Sequence, residues 1–204
     1  MKLAILIPYY KNSEECEIYF KKLAKTLIKQ VGGNIGVIIC EDGQFSKWIR
    51  DFGFASIIYH DINEGVSKAR NELLEIAIIN NIDYIMFLDS DDMIDCDYIS
   101  KMYAACEKGY DMIISDFKYK DKIVQYDKRS NVAGIGLRME FIKGLRFNED
   151  VNISEDSEFI NNVYERDPLI HKIDSVYHYN YGVNPNSLMM RFERSEIGIY
   201  KEDL

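Results

Sequence analysis

Long apolar runs, basic blocks and paired cysteines are all missing from this 204-residue chain, and each absence removes a class of function. No stretch approaches the ~20 consecutive apolar residues of a bilayer span, so no membrane crossing is expected. Met1 and Lys2 lead straight into a strand-like run with no small-residue cleavage site, which speaks against a secretory leader. The expected location is the cytoplasm, the inner face of the membrane included. Lys and Arg number 25 against 34 Asp and Glu, a formal net charge of -9, and they gather nowhere into a stripe that could follow a phosphate backbone. Nucleic acid is excluded as a partner on that ground. Cys16, Cys40, Cys96 and Cys106 show no metal-ligand spacing and are expected to be reduced and structural. With three prolines and no low-complexity stretch, no linker, repeat or domain boundary stands out.

What remains is an ordinary globular composition, 47% hydrophobic and 29% charged, in a chain long enough for one substantial core. Leu3 to Ile7 reads as a buried strand ended by Pro8, followed by a helix whose start resembles a capping box at Asn12 with Glu15 three residues on. Cys16, Phe20, Leu23 and Leu27 form one stripe of that helix, and Gly32-Gly33 is expected to stop it. Ile35 to Cys40 is a second apolar strand running into Glu41-Asp42-Gly43, and Ile57 to Tyr59 is a third. Val66, Ala69, Leu73 and Ile76 recur at helical spacing before a fourth strand over Asp83 to Leu88. Strand and helix thus alternate to about residue 108, which predicts an α/β fold on a parallel, doubly wound sheet. Further on, Met112 to Ile114 reads as a strand, Lys118 to Arg129 as an exposed hairpin, and Ser154 to Glu158 as the cap and acidic first turn of a helix that Pro168 follows. Tyr177-His178-Tyr179 leads to a turn or loop at Asn184 to Ser187.

The densest chemistry lies in Tyr84-Ile85-Met86-Phe87-Leu88-Asp89-Ser90-Asp91-Asp92. Four apolar residues in a row suit a central strand covered on both faces, and ligands of open α/β sheets collect at the carboxyl ends of such strands. Carboxylates on a D-x-D spacing suit a hard cation, Mg²⁺ or Mn²⁺, with coordination positions left for phosphate oxygens. The same residues could also form only a solvated turn capping a helix that begins near Asp95. Two other strand ends carry polar groups to the same expected edge, Pro8-Tyr9-Tyr10 and Glu41-Asp42. Between them lies Asn63-Glu64-Gly65-Val66-Ser67-Lys68-Ala69-Arg70-Asn71, where a glycine in the first helical turn admits a ligand and Arg70 can meet an anionic oxygen. In the plainer reading Asn63 caps the helix and Arg70 pairs with Glu41 or Asp42.

Taken in order, LAILIPYYKN, VIICEDGQ, NEGVSKARN, YIMFLDSDD and ISEDSEF resemble the family 2 glycosyltransferases of the GT-A fold, from Met1 to about Ser187. The resemblance implies a GT-A-type, Rossmann-like α/β fold with a mixed, mostly parallel sheet flanked by helices, in one domain over residues 1–204. Residues 1–108 would form its nucleotide-binding half and residues 109–204 its acceptor-side half. Pro8, Tyr9, Glu41 and Asp42 would then hold the base and ribose, with Asn63, Arg70, Asp89 and Ser90 completing the nucleotide contacts. Asp89 and Asp91 would hold Mn²⁺ or Mg²⁺. Glu155-Asp156 matches the acidic pair whose second member is the catalytic base of inverting members. His178 matches a histidine some relatives place near the diphosphate or metal, although between two tyrosines it could equally be packed and hydrogen-bonded. Trp48 is either an acceptor-stacking ring or core filling.

An inverting, metal-dependent transferase is therefore expected, moving a sugar from a UDP-sugar or another nucleoside diphosphate donor to a glycan, lipid-linked or protein-linked hydroxyl. The helix end should keep Asp156 ionised and hence a weak base, so proton removal is expected late, after the acceptor oxygen has become acidic. Glu41-Asp42 departs from the family's common Asp-Asp by one methylene. The chain is also short for the family, which implies a partner or a small or exposed acceptor. The alternatives are a non-catalytic sugar-nucleotide-binding module and a sugar-1-phosphate nucleotidylyltransferase. The latter should carry a Gly-rich loop after its first strand, and Tyr9-Tyr10-Lys11-Asn12 has no glycine.

Overall fold

An extended chain alternates its side chains between two faces, so a strand that is apolar at every position needs cover on both. In the computed structural model, which describes residues 1–119, 122–124, 131–151 and 154–179, the first strand, β1 (Leu3–Tyr9), meets that requirement. Leu3, Ile5, Ile7 and Tyr9 enter one core cluster with Phe20, Leu23 and Leu27, while Ala4 and Leu6 enter another with Leu73, Ala77 and Ile160. On either side of β1 lie β2 (Ile35–Asp42) and β4 (Tyr84–Phe87), both parallel to it, and β3 (Ser56–His60) pairs parallel with β2.

Beyond β4 the sheet turns mixed. β8 (Gly136–Arg138) is antiparallel to β4, β6 (Met112–Tyr119) is antiparallel to β8, and β9 (Ile170–Tyr179) runs parallel to β6. The two-residue β5 (Met93–Ile94) closes the row against β9, and β7 (Lys122–Val124) hangs on β6. The order is β3-β2-β1-β4-β8-β6-β9-β5. Five helices complete the described fold: α1 (Glu14–Leu27), α2 (Lys47–Phe52), α3 (Val66–Ile79), α4 (Tyr98–Cys106) and α5 (Glu155–Tyr164). Among the described residues no helix is long and apolar enough to cross a membrane.

The parallel half follows the sequence expectation, and the differences are local. The cap of α1 is Ser13, whose hydroxyl accepts from the Cys16 amide at 3.3 Å, rather than Asn12, which instead accepts from the Cys16 thiol at 2.8 Å. That helix stops at Leu27, before the glycines, through a backbone bond from Ile28 to the Ala24 carbonyl. Its last-turn apolar side chain is thereby kept on the sheet. α3 is capped at Gly65, with φ 99°, rather than at Asn63. The helix expected near Asp95 is α4, which begins at Tyr98 with Asp97 at its cap after β5 and an Asp95 turn, and α2 lies in a segment with no evident period. Trp48 on α2 packs edge-on against Phe20 at 5.2 Å. The doubly wound parallel expectation holds for β1 to β4 and gives way to mixed pairing after them. The hairpin is present as β6 and β7 to Val124, while residues 125–130 and the loop at Asn184 to Ser187 lie outside the described residues. Cys16, Cys40 and Cys106 are buried and all four cysteines are free.

Gly134 ties the two halves together. Its amide bonds the Phe87 carbonyl at 2.8 Å and its carbonyl accepts from the Tyr98 hydroxyl at 2.6 Å. Its φ is +75°, and a Cβ there would stand 2.6 Å from the buried Tyr177 ring. Gly134→Ala is therefore expected to lose about 1–2 kcal/mol to the left-handed backbone and about 1–3 kcal/mol to overpacking. The midpoint of a urea titration should fall accordingly, and an unchanged midpoint would show that Tyr177 gives way without cost.

Candidate functional site

Parallel pairing puts the carboxyl ends of β1, β2 and β4 on one edge. Tyr9 pairs with Glu41 and Asp42 with His60, while Asp89 emerges just past Phe87. Pro8 is partly buried, and Tyr9 is buried with its ring 4.6 Å from Phe20. Burial pushes the Tyr9 hydroxyl well above its ordinary pKa, so it stays a neutral phenol.

Both members of the acidic pair at the end of β2 are fully engaged. Glu41 is completely buried and accepts from the Ser46 amide at 2.7 Å and from the Arg50 guanidinium. Arg50 in turn covers the Phe45 ring at 4.0 Å. Asp42 accepts through Oδ1 from the Glu64 amide at 2.7 Å and through Oδ2 from the Gly65 amide at 2.9 Å. His60 Nδ1 lies 2.8 Å from the same Oδ1. Asp42 thus fastens the end of β2 to the loop that opens α3. Gly43, at φ +85°, permits this because any Cβ would strike the backbone of Ile62 and Asn63. Asn63 itself is exposed on that loop.

Arg70 pairs with neither Glu41 nor Asp42. It is 3% exposed and reaches across the sheet end. One terminal nitrogen, Nη1, donates to Glu155 Oε1 at 2.9 Å and also to Asp156 Oδ1, while Nη2 donates to Asp89 Oδ1 at 3.1 Å. The guanidinium also stands 5.3 Å from the centre of the Phe147 ring. Glu155 and Asp156 open α5 after Ser154, which at φ 70° adopts the left-handed conformation a non-glycine residue rarely takes.

The electrostatics of Asp156 run against the helix-end expectation. Burial raises its pKa to about 6, Arg70 opposes the rise, the Asp89 and Glu155 charges add to it, and the Val132 amide at 3.5 Å opposes it slightly. One guanidinium cannot neutralise three carboxylates, so the nearby negative charge and the loss of water outweigh the helix end. Asp156 is accordingly a stronger base than a helix-capping carboxylate would be.

Asp89, Ser90 and Asp91 are partly exposed, and the Asp92 amide closes their turn onto the Asp89 carbonyl at 3.2 Å. Asp92 is buried and accepts from the Tyr177 hydroxyl. His178, opposite Met93 across β5 and β9, has Nε2 2.7 Å from Asp95 Oδ1. Among the described residues no group of three or more His, Cys, Asp or Glu side chains is gathered as a complete metal cage. The part-exposed oxygens of Asp89 and Asp91 fit a hard ion of the Mg²⁺ or Mn²⁺ kind, which takes one or two carboxylates and completes its shell from phosphate and water. A cavity of about 890 Å³ lies at the opposite edge, lined by Met1, Asp83 and Arg138 among others, away from all these groups.

Sequence reasoning missed Arg50, His60 and Phe147, the side chains that hold Glu41, Asp42 and Arg70. His60 carries a signal only in retrospect, as the last residue of the strand beside Asp42.

The model of the family described as Glycosyl transferase family 2 matches residues 4–170. An uncharacterized glycosyltransferase of Acanthamoeba polyphaga mimivirus is 33% identical over 51% of this chain and 43% of its own length. Glycosyltransferase GlyA of Streptococcus pneumoniae is 29% identical over 50% of this chain and 14% of its own. The chain therefore spans less than half the length of either relative. Among solved structures, residues 1–349 of S. aureus TarS in complex with UDP share the fold with a TM-score of 0.74 at 19% identity, over 88% of this chain and 60% of that one. The mannosyltransferase PcManGT of Pyrobaculum calidifontis, in complex with GDP-Man and Mn2+, gives 0.66 at 13% identity over 89% of this chain and 58% of its own.

Removing Arg70 should expose the charge balance. Arg70→Met leaves Asp89, Glu155 and Asp156 without their shared cation, which for a buried ion pair costs about 3–5 kcal/mol. Carboxylates whose folded pKa is raised destabilise above their unfolded pKa and cease to do so once protonated. The deficit should therefore be large at pH 8 and smaller at pH 5 in urea titrations. Equal deficits at both pH values would mean that Arg70 acts by packing alone.

Proposed function

The chain belongs to glycosyl transferase family 2, and from that premise we propose that it transfers a sugar from a nucleoside diphosphate donor, UDP before others, to a hydroxyl of a glycan, lipid-linked or protein-linked acceptor, with inversion at the anomeric carbon. The observation that carries this reading is the Arg70 clamp, which draws Asp89 and Asp156 from distant parts of the chain to one sheet edge. The UDP-bound and GDP-Man-bound neighbours of the same fold favour the donor class.

Each group then has a role. The nucleotide side lies within residues 1–108, with Pro8, Asn63 and Ser90 at its surface and the buried Tyr9, Glu41 and Asp42 fixing the backbone beneath it, and the acceptor approaches from residues 109–204. Asp89 and Asp91, with His178 as a further candidate ligand, would hold Mn²⁺ or Mg²⁺, which when bound offsets the charge on the departing diphosphate. Asp156 takes the proton of the acceptor hydroxyl. That oxygen bonds to the anomeric carbon from the face opposite the leaving group, and the bond to the diphosphate breaks with its electron pair leaving on the nucleotide. Arg70 holds Asp156 through Oδ1 with Glu155 on the same nitrogen, so Oδ2, which has only the long 3.5 Å contact from the Val132 amide, is the oxygen assigned to take the proton. With its pKa raised to about 6, Asp156 is still ionised at neutral pH and binds a proton more firmly than an ordinary aspartate.

Asp156→Asn is expected to keep UDP affinity and lose about 100-fold or more in transfer rate. Asp91→Ala should lose the part of donor binding that depends on added Mn²⁺. In the wild type the transfer rate should climb with pH through about 6, as the base loses its proton, and the variant should lack that limb. Equal rates for wild type and Asp156→Asn would end the base assignment. UDP binding with no product from any donor would make the domain a sugar-nucleotide-binding module.

A further inference from the structure

His60 ends β3 beneath the loop that opens α3, with 6% of its surface exposed. Both ring nitrogens face carboxylates, Nδ1 at 2.8 Å from Asp42 Oδ1 and Nε2 at 2.8 Å from Glu72 Oε2. A neutral imidazole has one N–H to give, whereas two carboxylate partners call for two, so this geometry selects the imidazolium. Burial by itself would drain the charge, but the bonds to Glu72 and Asp42 outweigh it and raise the pKa.

The surroundings are strongly acidic. Besides Asp42 from β2 and Glu72 from α3, the Cys40 thiol lies 3.6 Å from Nε2, and burial pushes that thiol up to about 12, so it adds no charge. Glu64 enters from the loop, its amide on Asp42, and Glu41 is the neighbour of Asp42 on β2. The cations nearby are Lys68, 3.7 Å from Glu72, and Arg50, which is bound to Glu41. His60 is thus the cation of this group with direct hold on Asp42.

We propose that His60 is a positioning residue of the donor pocket: as an imidazolium braced by Glu72, it fixes the Asp42 carboxylate, and through Asp42 the Glu64-Gly65 amides that set the start of α3, so that nucleotide affinity depends on the proton it carries. The inference rests on reading the β1 and β2 ends as the nucleotide side. Two effects act in the same direction when the proton leaves. The positive charge beside Asp42 is lost and one ring N–H must serve two carboxylates, so Asp42 and the loop ahead of Arg70 are fixed less firmly. The rim also gains net negative charge, which repels a diphosphate.

The test is UDP binding by calorimetry with Mn²⁺ present, at pH 6.5 and pH 8.5, for wild type, His60→Gln and Glu72→Gln, with thermal melts confirming folding. Wild-type affinity should fall several-fold at the higher pH. His60→Gln, which has no titrating proton, should bind weakly and equally at both. Glu72→Gln removes the outer brace, so its loss of affinity should set in at lower pH, and it carries the test if His60→Gln does not fold. In steady-state transfer the His60→Gln defect should appear in the donor KM and leave kcat nearly unchanged. Tight UDP binding with parallel pH courses in wild type and both variants would overturn the role of His60 and leave the nucleotide reading intact. Absence of UDP binding by the wild type at both pH values would overturn that reading, and this inference with it.

Discussion

A buried guanidinium needs acceptors for its donors and a counter-charge for its proton, and the two terminal nitrogens of Arg70 find both in side chains delivered by a strand end and by a helix start, while its Nε has no partner among the described residues. Asp89 arrives from the end of β4, Glu155 and Asp156 from the first turn of α5, and Arg70 from the second turn of α3. Without the cation, the carboxylates would repel one another and the ends of these elements would splay. Without the carboxylates, the arginine would be a desolvated charge on the Phe147 face. The chemistry at this edge is therefore inseparable from the packing of α3 and α5 on the sheet, where Leu73, Ala77, Phe159 and Ile160 share one core cluster.

A second polar layer supports the first. Glu41 and Asp42 spend their oxygens on backbone amides and on Arg50 and His60, so they shape the loops on either side of β2 as much as they present acidity. An Asp42→Asn change would put amide hydrogens against the Glu64 and Gly65 donors, and its effects would begin with the loop. The Glu-Asp pair also makes sense in this light. The extra methylene of Glu41 lets its carboxylate reach the Ser46 amide and Arg50, while the shorter Asp42 stays close to the chain it caps.

The sequence was legible wherever the structural cause is local. Four consecutive apolar residues from Ile85 to Leu88 mark a doubly covered strand, carboxylates placed at strand ends mark the acidic edge, and Glu155-Asp156 after Ser154 marks a helix start. It was much less legible where the cause is a distant partner. Nothing near Arg70 signals that its acceptors lie 19, 85 and 86 residues away. Nothing near Met93 signals a strand, because β5 exists only through its pairing with β9. The cap of α1 fell one residue beyond Asn12 because Ser13 adopts the extended backbone that aims its hydroxyl at the helix. The base strength of Asp156 went the other way from expectation because the helix end is one local contribution, while burial and two neighbouring acids are set by tertiary packing.

The turn from Asp89 to Asp92 is held at its near end by β4 and at its far end by β5, whose partner strand begins at Ile170. Tyr177 secures Asp92 from that same strand, and Gly134 secures Phe87 from the segment before it. On a ribosome these acidic residues would emerge long before the residues that give them shape. A nascent chain halted before residue 170 could assemble the parallel sheet and still lack a formed acidic turn, so the shape of that turn would arrive as one of the last events of folding.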